Sequence, residues 1–364
     1  MSQVTPLDSA RRSVPAPRLA LLGTGVVGSA FVARHERLQQ RGIVVPALSW
    51  LANSRALHRC ADTAAHALAA ANAEPRGARE LPPWAESETL RRGDVVVDAT
   101  ASAIVAEWHA EWLSRGVHVV TANKLGSGSS FARAQAIASA REASGASYGD
   151  SATVGAGLPL LRSLRALVAG GDRIHRIEGV LSGSLAWLFN HFDGSRPFSS
   201  LVREARDAGY TEPDPRIDLS GEDVRRKLLI LARAAGLALR EADVRMDSLV
   251  PQEVAGVETE ALDSVLPLLD TPFATRLKEA HASGMGLRFL AHVDAQGASV
   301  GLVALDRNDP LFAGAGTDNC VAIYSDRYAN QPLLIQGPGA GADVTAAALL
   351  DDVLRVSVRT VGRP

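Results

Sequence analysis

The sequence predicts an α/β protein in which a doubly wound parallel sheet is followed by a second, α+β domain. Up to residue 150, apolar runs of strand length alternate with amphipathic segments, which is the pattern of parallel strands joined by helices. Beyond residue 150, helical stretches precede strand-like runs separated by short turns, which indicates a largely antiparallel second sheet. The 364 residues are also enough to form two domains.

The composition is that of an ordinary globular protein and excludes several functional classes. Hydrophobic residues make up 46% of the chain and charged residues 21%. The net charge of -2 gives no basic footprint for nucleic acid, and no apolar run is long enough to span a bilayer. Cys60 and Cys320 lie far apart without a CxxC pair, so we expect neither a disulfide framework nor a zinc site, and a reducing cytoplasm fits best.

Four strand-like runs give the order of the first domain, which we expect to span 17–152 after a loose polar arm at 1–16. The runs lie at 19–22, 43–51, 94–100 and 117–124. An alanine-rich stretch at 61–73 predicts a helix, and the segment that follows it, up to Pro83, predicts a surface loop.

The motif GTGVVG follows the first strand-like run and opens a predicted helix, which favours a Rossmann-type dinucleotide-binding turn. Gly23 permits the tight turn, Gly25 lets the backbone approach a pyrophosphate, and Gly28 allows close helix packing. The free N–H groups of the helix N-terminus would then bind the anion. A simple tight turn is one alternative, and an export signal that starts at the arginines at positions 11–12 is another. The spacing of the glycines favours the nucleotide site.

The end of the second strand-like run bears on the choice of cofactor. A site specific for NAD usually presents a carboxylate there to bind the ribose, whereas this chain has Asn53 and then Arg55. An arginine can bind a 2′-phosphate. The sequence therefore favours NADP(H), with NAD(H) as the alternative.

Only three of the 38 lysine and arginine residues are lysines, at positions 124, 227 and 278. Lysine can release its proton under enzymatic conditions and arginine cannot, so each lysine is informative, and Lys124 and Lys227 lie inside motifs. Lys227 ends the segment GYTEPDPRIDLSGEDVRRK, whose second half predicts a helix from about Ser220. Asp223 and Lys227 are four residues apart on that helix and share a face. The apolar run at 228–232 predicts that the helix is buried, with Lys227 at its inner edge.

The carboxylates around Lys227 indicate chemistry rather than solvation. A lysine among Glu212, Asp218 and Asp223 is typical of a proton-transfer group, and the excess of carboxylates suits the ammonium group of a small amino acid. The alternative is structural: Ser220 and Asp223 would form a capping box, and Asp223 a surface ion pair with Lys227.

On these residues the chain resembles the homoserine dehydrogenases, and particularly the dehydrogenase half of fused aspartokinase/homoserine dehydrogenase proteins. The segment at 209–227 matches the family signature. The other matching blocks are VTANK at 120–124, SATVGAGLP at 151–159, LSGSLAWLFNHFDG at 181–194 and PLLIQGPGAGADVTAAALLDD at 332–352. We expect a free-standing dehydrogenase with no kinase half and no ACT domain, and hence no feedback inhibition by threonine through such a domain.

The resemblance implies a cytoplasmic oxidoreductase that interconverts L-homoserine and L-aspartate 4-semialdehyde for threonine, methionine and isoleucine biosynthesis. It implies a substrate-binding and dimerisation domain at 153–337, which makes a homodimer, and a C-terminal helix within 338–364 that returns to the nucleotide domain. Because a lysine must be neutral to accept a proton, oxidation is expected to be faster at alkaline pH.

The resemblance also assigns roles to residues of this chain. Lys227 matches the proposed general acid/base and Asp218 the carboxylate that holds the substrate amino group, while Glu212 and Asp223 match the accompanying acids. Lys124 matches a second lysine proposed for proton transfer, and the sequence does not choose between the two. Substrate-pocket positions are matched by Gly183, Ser184 and Tyr210, and positions near the nucleotide by Thr24, Val26, Val27, Thr100, Lys124 and Gly341.

One departure from the family concerns a structural sodium ion. Many relatives have a ligating glutamate where this chain has Ser151. The remaining ligands would be main-chain oxygens of Val154, Ala156 and Leu158, which bind a hard cation weakly without a charged partner. Asp150 is the alternative carboxylate, so the sequence leaves the metal open.

Overall fold

The computed structural model describes residues 17–75, 90–314 and 316–361. The expected arm at 1–16, the arginines at 11–12 and the expected loop from residue 76 to Pro83 lie outside these ranges.

The first domain contains a sheet with the strand order β3-β2-β1-β4-β5-β6, in which β3 alone runs antiparallel to its neighbour. Its strands are β1 (Leu19–Leu22), β2 (Leu48–Ala52), β3 (Leu57–Arg59), β4 (Val95–Asp98), β5 (His118–Thr121) and β6 (Tyr148–Gly149). Its helices within the described residues are α1 (Val26–Gln40), α2 (Ala64–Ala73), α3 (Ala103–Ser114) and α4 (Phe131–Ser144). The doubly wound sheet predicted from the alternating pattern is therefore confirmed.

The run at 43–51 was predicted as one strand, but β2 begins only at Leu48. Pro46 has no N–H to donate to a sheet, and Val44 is 90% exposed, so the first part of this apolar run crosses the surface. The strand β3 was not predicted. It forms because the Asn53 side chain accepts hydrogen bonds from the backbone of Arg55 and Ala56, which turns the chain back along β2.

The second domain contains a mixed sheet with the order β12-β11-β7-β9-β10-β8. Its strands are β7 (Ile174–Val180), β8 (Val244–Met246), β9 (Met285–Asp294), β10 (Gly297–Asp306), β11 (Asp318–Ser325) and β12 (Leu333–Pro338). Every pairing is antiparallel except that of β8 with β10, so the expectation of a largely antiparallel sheet is confirmed.

Helices pack against this second sheet and form the larger core of the molecule. They are α5 (Leu160–Ala169), α6 (Gly183–His191), α7 (Phe198–Asp207), α8 (Arg216–Leu219), α9 (Glu222–Ala234), α10 (Gln252–Ala255), α11 (Leu262–Val265) and α12 (Asp270–Ala282). Phe198 is fully buried in this core and stacks on Phe273 with ring centroids 4.2 Å apart. Stacked aromatic rings add to the area that they remove from water, so they hold α7 and α12 together.

The last helix, α13 (Ala342–Val361), packs against α1 of the first domain. Its Leu349 and Val353 are fully buried in one cluster with Leu21 of β1 and Val97 of β4. The chain thus returns to the first domain after the second sheet. Among the described residues, no helix is long and apolar enough to cross a membrane.

Candidate active site

The turn between β1 and α1 has the backbone shape that its glycines suggest. Gly23 has φ of +96°, and a Cβ atom there would lie 2.8 Å from the carbonyl oxygen of Ala99. A Cβ atom on Gly28 would lie 1.9 Å from the carbonyl oxygen of Gly23, so no larger residue fits. At Gly25, in contrast, nothing lies within 4 Å of that position, which leaves the turn open on the side where a phosphate would approach.

The start of α1 can bind an anion. Gly25 is the N-cap and supplies no side-chain oxygen, so the first N–H groups of the helix, from Val26 and Val27 onwards, have no side-chain cap. Val26 is 78% exposed. A cleft of about 340 Å³ opens beside this turn and is lined in part by Thr24 and Thr100. These groups therefore fit a dinucleotide.

The far end of the cleft carries no carboxylate at the end of β2. The Asn53 amide donates to Thr24 Oγ1 and to the carbonyl oxygen of Ala71, both at 2.9 Å. Asn53 and Thr24 are therefore held by the protein and shape the turn. Arg55 lines the cleft and donates one hydrogen bond to the carbonyl oxygen of Glu74 at 2.9 Å.

Lys227 on α9 is almost completely buried, with 8% of the residue exposed. Its Nζ donates to the carbonyl oxygen of Leu181 at 2.7 Å and lies 2.9 Å from Asp223 Oδ2. An ammonium group has three N–H donors. Within the described residues, the third donor of Lys227 has no protein acceptor. The lysine is therefore a buried amine with one free donor, and its pair with Asp223 is not the surface ion pair of the alternative interpretation.

Asp223 joins the two candidate lysines. Its Oδ1 atom lies 3.3 Å from Lys124 Nζ, while its Oδ2 atom pairs with Lys227. Burial by itself would raise the pKa of the Asp223 carboxyl, but the charges of Lys227 and Lys124 outweigh that effect and hold the pKa well below its usual range. Asp223 therefore stays ionised and keeps both ammonium groups in place. Because Lys124 follows β5, this cluster lies at the carboxyl edge of the parallel sheet, as the glycine turn does.

Asp218 is fixed by two hydrogen bonds to its carboxylate. Ser184 Oγ donates to Oδ1 at 2.7 Å, and the backbone N–H of Glu212 donates to Oδ2 at 2.9 Å. Ser184 belongs to the segment 181–184 that follows β7, and Leu181 in the same segment accepts from Lys227. One short segment therefore contacts both the buried lysine and the oriented carboxylate.

The other expected substrate residues lie around this segment. Gly183 is the first residue of α6, and a Cβ atom there would lie 3.1 Å from the carbonyl oxygen of Thr317. Tyr210 is 45% exposed and stacks on Trp187 of α6 with ring centroids 5.1 Å apart. The Glu212 side chain is exposed.

The helix that carries Lys227 begins differently from the prediction. We expected it to start at about Ser220, with a capping box from Ser220 and Asp223 as the alternative. The helix α9 starts at Glu222, and its N-cap is Gly221 in the left-handed conformation with φ of +76°, without a side-chain cap. Ser220 instead donates to the carbonyl oxygen of Ile217 at the end of α8. The capping box was therefore wrong, because Asp223 points to the lysines.

A buried network that the sequence did not reveal supports the loop that contains Lys124. Asp98 at the end of β4 accepts hydrogen bonds from the Asn123 amide and pairs with His109, both at 2.9 Å. The other ring nitrogen of His109 lies 3.1 Å from the Tyr148 hydroxyl. Asn319 was missed too, and its amide shares the Leu181 carbonyl oxygen with Lys227. No spacing signal links these residues, because they come from separate strands and helices.

The expected sodium ligands do not form a site with a charged donor. Ala156 has φ of +49° in the loop with Val154 and Leu158, so the loop is tightly turned. Ser151 donates through both its N–H and its hydroxyl to Asp352 of α13. Asp150, the alternative carboxylate, is paired with Arg165. Among the described residues, no group of three or more histidine, cysteine, aspartate or glutamate side chains could hold a metal ion. The donor set therefore does not fit sodium bound as in the family.

Gly341 lies at the start of α13 with φ of +127°, and its carbonyl oxygen accepts from Thr345. It thus lies in the loop between the second sheet and the helix that packs on α1, where the two domains meet.

Comparisons with known proteins agree with this geometry. A family model described as homoserine dehydrogenase matches residues 159–354, and a model for the NAD binding domain of homoserine dehydrogenase matches residues 23–148. The chain is 40% identical over 277 residues to a homoserine dehydrogenase of Paracoccidioides brasiliensis, a match that covers 73% of this chain and 74% of that protein. It is 44% identical over 266 residues to a bifunctional aspartokinase/homoserine dehydrogenase of Zea mays, and this match covers 72% of this chain but only 29% of that protein.

Solved structures extend the likeness to the fold of nearly the whole chain. A Candida auris protein described as of unknown function has a TM-score of 0.84 and 35% identity, covering 94% of this chain and 99% of that one. A hyperthermophilic archaeal homoserine dehydrogenase solved with NADPH has a TM-score of 0.72 and 18% identity, covering 94% and 98%, so its likeness is one of fold. The resemblance that the sequence motifs suggested is confirmed: the chain belongs to the homoserine dehydrogenase family.

Proposed function

We propose that the chain is an NAD(P)-dependent dehydrogenase that interconverts L-homoserine and L-aspartate 4-semialdehyde, in the biosynthesis of threonine, methionine and isoleucine. Family membership supports the reaction. The observation that carries the proposal is the buried Lys227 ammonium, which has one N–H without a protein acceptor among the described residues. Its partner Leu181 lies in the same short segment as Ser184, which orients Asp218. A free donor and an oriented carboxylate held by one segment suit a substrate with an oxygen at one end and an ammonium at the other.

The residues divide the chemistry between them. When bound, the nicotinamide exchanges a hydride with carbon four of the substrate. In reduction Lys227 donates a proton to the substrate oxygen as it becomes an alcohol, and in oxidation the neutral amine takes that proton back. Asp223 holds Lys227 in position, and Lys124 contributes a second positive charge. Asp218, assisted by Glu212, binds the substrate ammonium, while Tyr210 and Gly183 shape the pocket.

The direct test is a spectrophotometric assay of homoserine oxidation with NADP and NAD side by side. We expect cofactor reduction that depends on homoserine and is much slower with serine, whose hydroxyl is one carbon closer to the ammonium. If neither cofactor is reduced in the presence of homoserine, and none is oxidised in the presence of aspartate 4-semialdehyde, the proposed reaction is wrong.

We also propose that NADP(H) is the preferred cofactor, with NAD(H) used less well. Asn53 occupies the place of the carboxylate that would bind the ribose of NAD, and its amide is engaged by Thr24 and Ala71. Arg55 lines the same cleft and has guanidinium donors beyond the one that binds Glu74.

Replacing Arg55 with glutamine should raise the KM for NADP by about tenfold to a hundredfold, because a charge-assisted hydrogen bond contributes about 1.5–3 kcal/mol. The KM for NAD should stay almost constant, since NAD lacks the 2′-phosphate. The matched control is Arg41→Gln, an exposed arginine after α1 that lies outside the cleft. An equal change for both cofactors would show that Arg55 acts on the fold rather than on the phosphate.

We propose further that turnover needs no sodium ion, because Asp150 and Asp352 are already paired and Ser151 replaces the charged ligand. Replacing sodium chloride with choline chloride at equal ionic strength should leave both kcat and the thermal midpoint within experimental error. A loss of activity that sodium alone restores would mean that the main-chain oxygens of Val154, Ala156 and Leu158 bind the ion without a carboxylate.

A homodimer and a cytoplasmic location, both expected from the family, are part of the proposal. Family membership supports an association through the second domain. Light scattering of the purified protein measures its molar mass and so tests for the dimer. Fractionation of source cells tests the location.

A further inference from the structure

A second cavity, of about 550 Å³, lies between α4, β6, α5 and α13. None of its lining residues lines the nucleotide cleft, and Lys124, Lys227 and Asp218 are not among them. It is formed where the C-terminal helix closes over the junction of the two domains. Four of its lining residues are arginines, from three different helices: Arg141, Arg162, Arg165 and Arg355.

The arginines have more donors than their protein partners use. In the described part of the chain, the Arg141 side chain has no hydrogen-bond or ion-pair partner, and Arg162 reaches only Asp351, at 3.9 Å. The other two are paired: Arg165 binds Asp150 through two nitrogens, and Arg355 contacts Asp352 and Asp351. Each guanidinium has five N–H donors in a planar fork that matches carboxylate and phosphate oxygens. Arg141 and Arg162 are both exposed, so most of their donors are open to solvent and accessible to a ligand.

The carboxylate inside the cavity is already engaged. Asp352 accepts hydrogen bonds from the N–H and hydroxyl of Ser151 and from Arg355. These bonds already use both oxygens of the Asp352 carboxylate. Asp351 lies 3.9 Å from Arg162 and 4.0 Å from Arg355 and offsets part of the arginine charge, whereas Arg141 has no carboxylate within reach among the described residues.

We propose that this arginine cavity binds a small anion with several closely spaced negative charges, either a diphosphate or a tricarboxylate. Arg141 and Arg162 bind the anion from α4 and α5, and Arg355 adds a third guanidinium from α13. The site is separate from the proposed dehydrogenase reaction and does not depend on it. The ligand bridges the first domain, the second domain and the C-terminal helix.

Calorimetric titration of the full chain with inorganic pyrophosphate, and in parallel with citrate, tests the proposal. Both titrations are run with and without saturating NADPH, because pyrophosphate can also occupy the nucleotide turn. We expect one binding event that persists with NADPH, and the tighter of the two probes identifies the class of anion. The double variant Arg141→Gln/Arg162→Gln should bind at least ten times more weakly.

The matched control is Arg245→Gln, an exposed arginine on β8, which should bind as the unmodified protein does. The charge-preserving variant Arg141→Lys/Arg162→Lys should keep part of the affinity, and each variant's thermal midpoint without anion shows whether it is folded. The midpoint should rise with anion in the unmodified protein and not in the glutamine variant. Absence of an NADPH-resistant event, or unchanged affinity in the glutamine variant, overturns the site.

Discussion

Replacing Lys227 with alanine is expected to lower kcat for homoserine oxidation by about 100- to 10,000-fold, the range that a positioned general acid or base contributes. Affinity for NADPH should change little, because Lys227 contacts Leu181 and Asp223 and does not line the nucleotide cleft. Stopped-flow or steady-state kinetics measure the first quantity, and fluorescence titration of NADPH measures the second.

The other two lysines provide the comparison. Lys278→Ala, on the exposed surface of α12, should leave kcat unchanged. Lys124→Ala should lower kcat by only about tenfold. The change removes the second positive charge on Asp223, but the Lys124 side chain is more exposed to water than that of Lys227, so its charge acts more weakly. If the losses are reversed, so that Lys124→Ala is the more damaging change, Lys124 is the proton-transfer group and the assignment to Lys227 is wrong.

The same proton transfer determines how the rates of oxidation and reduction change with pH. Oxidation requires the neutral amine, so its rate should rise as the pH increases, whereas reduction requires the ammonium and should slow. Lys227→Ala should flatten both profiles. Asp223 does not contribute to these changes near neutral pH, since its pKa is held well below its usual range.

Replacing Asp218 with asparagine is the second change with a large expected effect. The carboxylate is already oriented by Ser184 and Glu212, and asparagine keeps the shape but loses the charge that we propose binds the substrate ammonium. Removing a charged hydrogen-bond partner costs about 1.5–3 kcal/mol, so KM for homoserine should rise by about tenfold to a hundredfold or more. The KM for NADP should stay constant.

Two further variants separate binding from folding. Asp207→Asn, at an exposed carboxylate at the end of α7, should leave KM for homoserine unchanged. Ser184→Ala should give an intermediate rise, because it frees one oxygen of Asp218 without removing the charge. A fall in kcat with constant KM in Asp218→Asn would place this residue in the chemical step instead of in substrate binding.

Local spacing in the sequence was enough to predict several parts of the site. Gly23, Gly25 and Gly28 lie within one turn, and the backbone around them follows from steric requirements that only neighbouring residues impose. Asp223 and Lys227 lie four residues apart on one helix, so their pairing follows from helical periodicity. The alternation of apolar runs similarly predicted the parallel sheet, though not the late start of β2 at Leu48.

The sequence by itself therefore determined the glycine turn, the two sheets and the acidic segment that ends in Lys227. Only the tertiary structure decided what surrounds that lysine: the Leu181 carbonyl oxygen, 46 positions away, and the second lysine, which Asp223 brings within reach. It also decided that Ser151 meets Asp352, 201 positions further on, and that arginines from three helices line one cavity. Contacts at such separations depend on how the domains and the last helix pack, and no local periodicity encodes that packing.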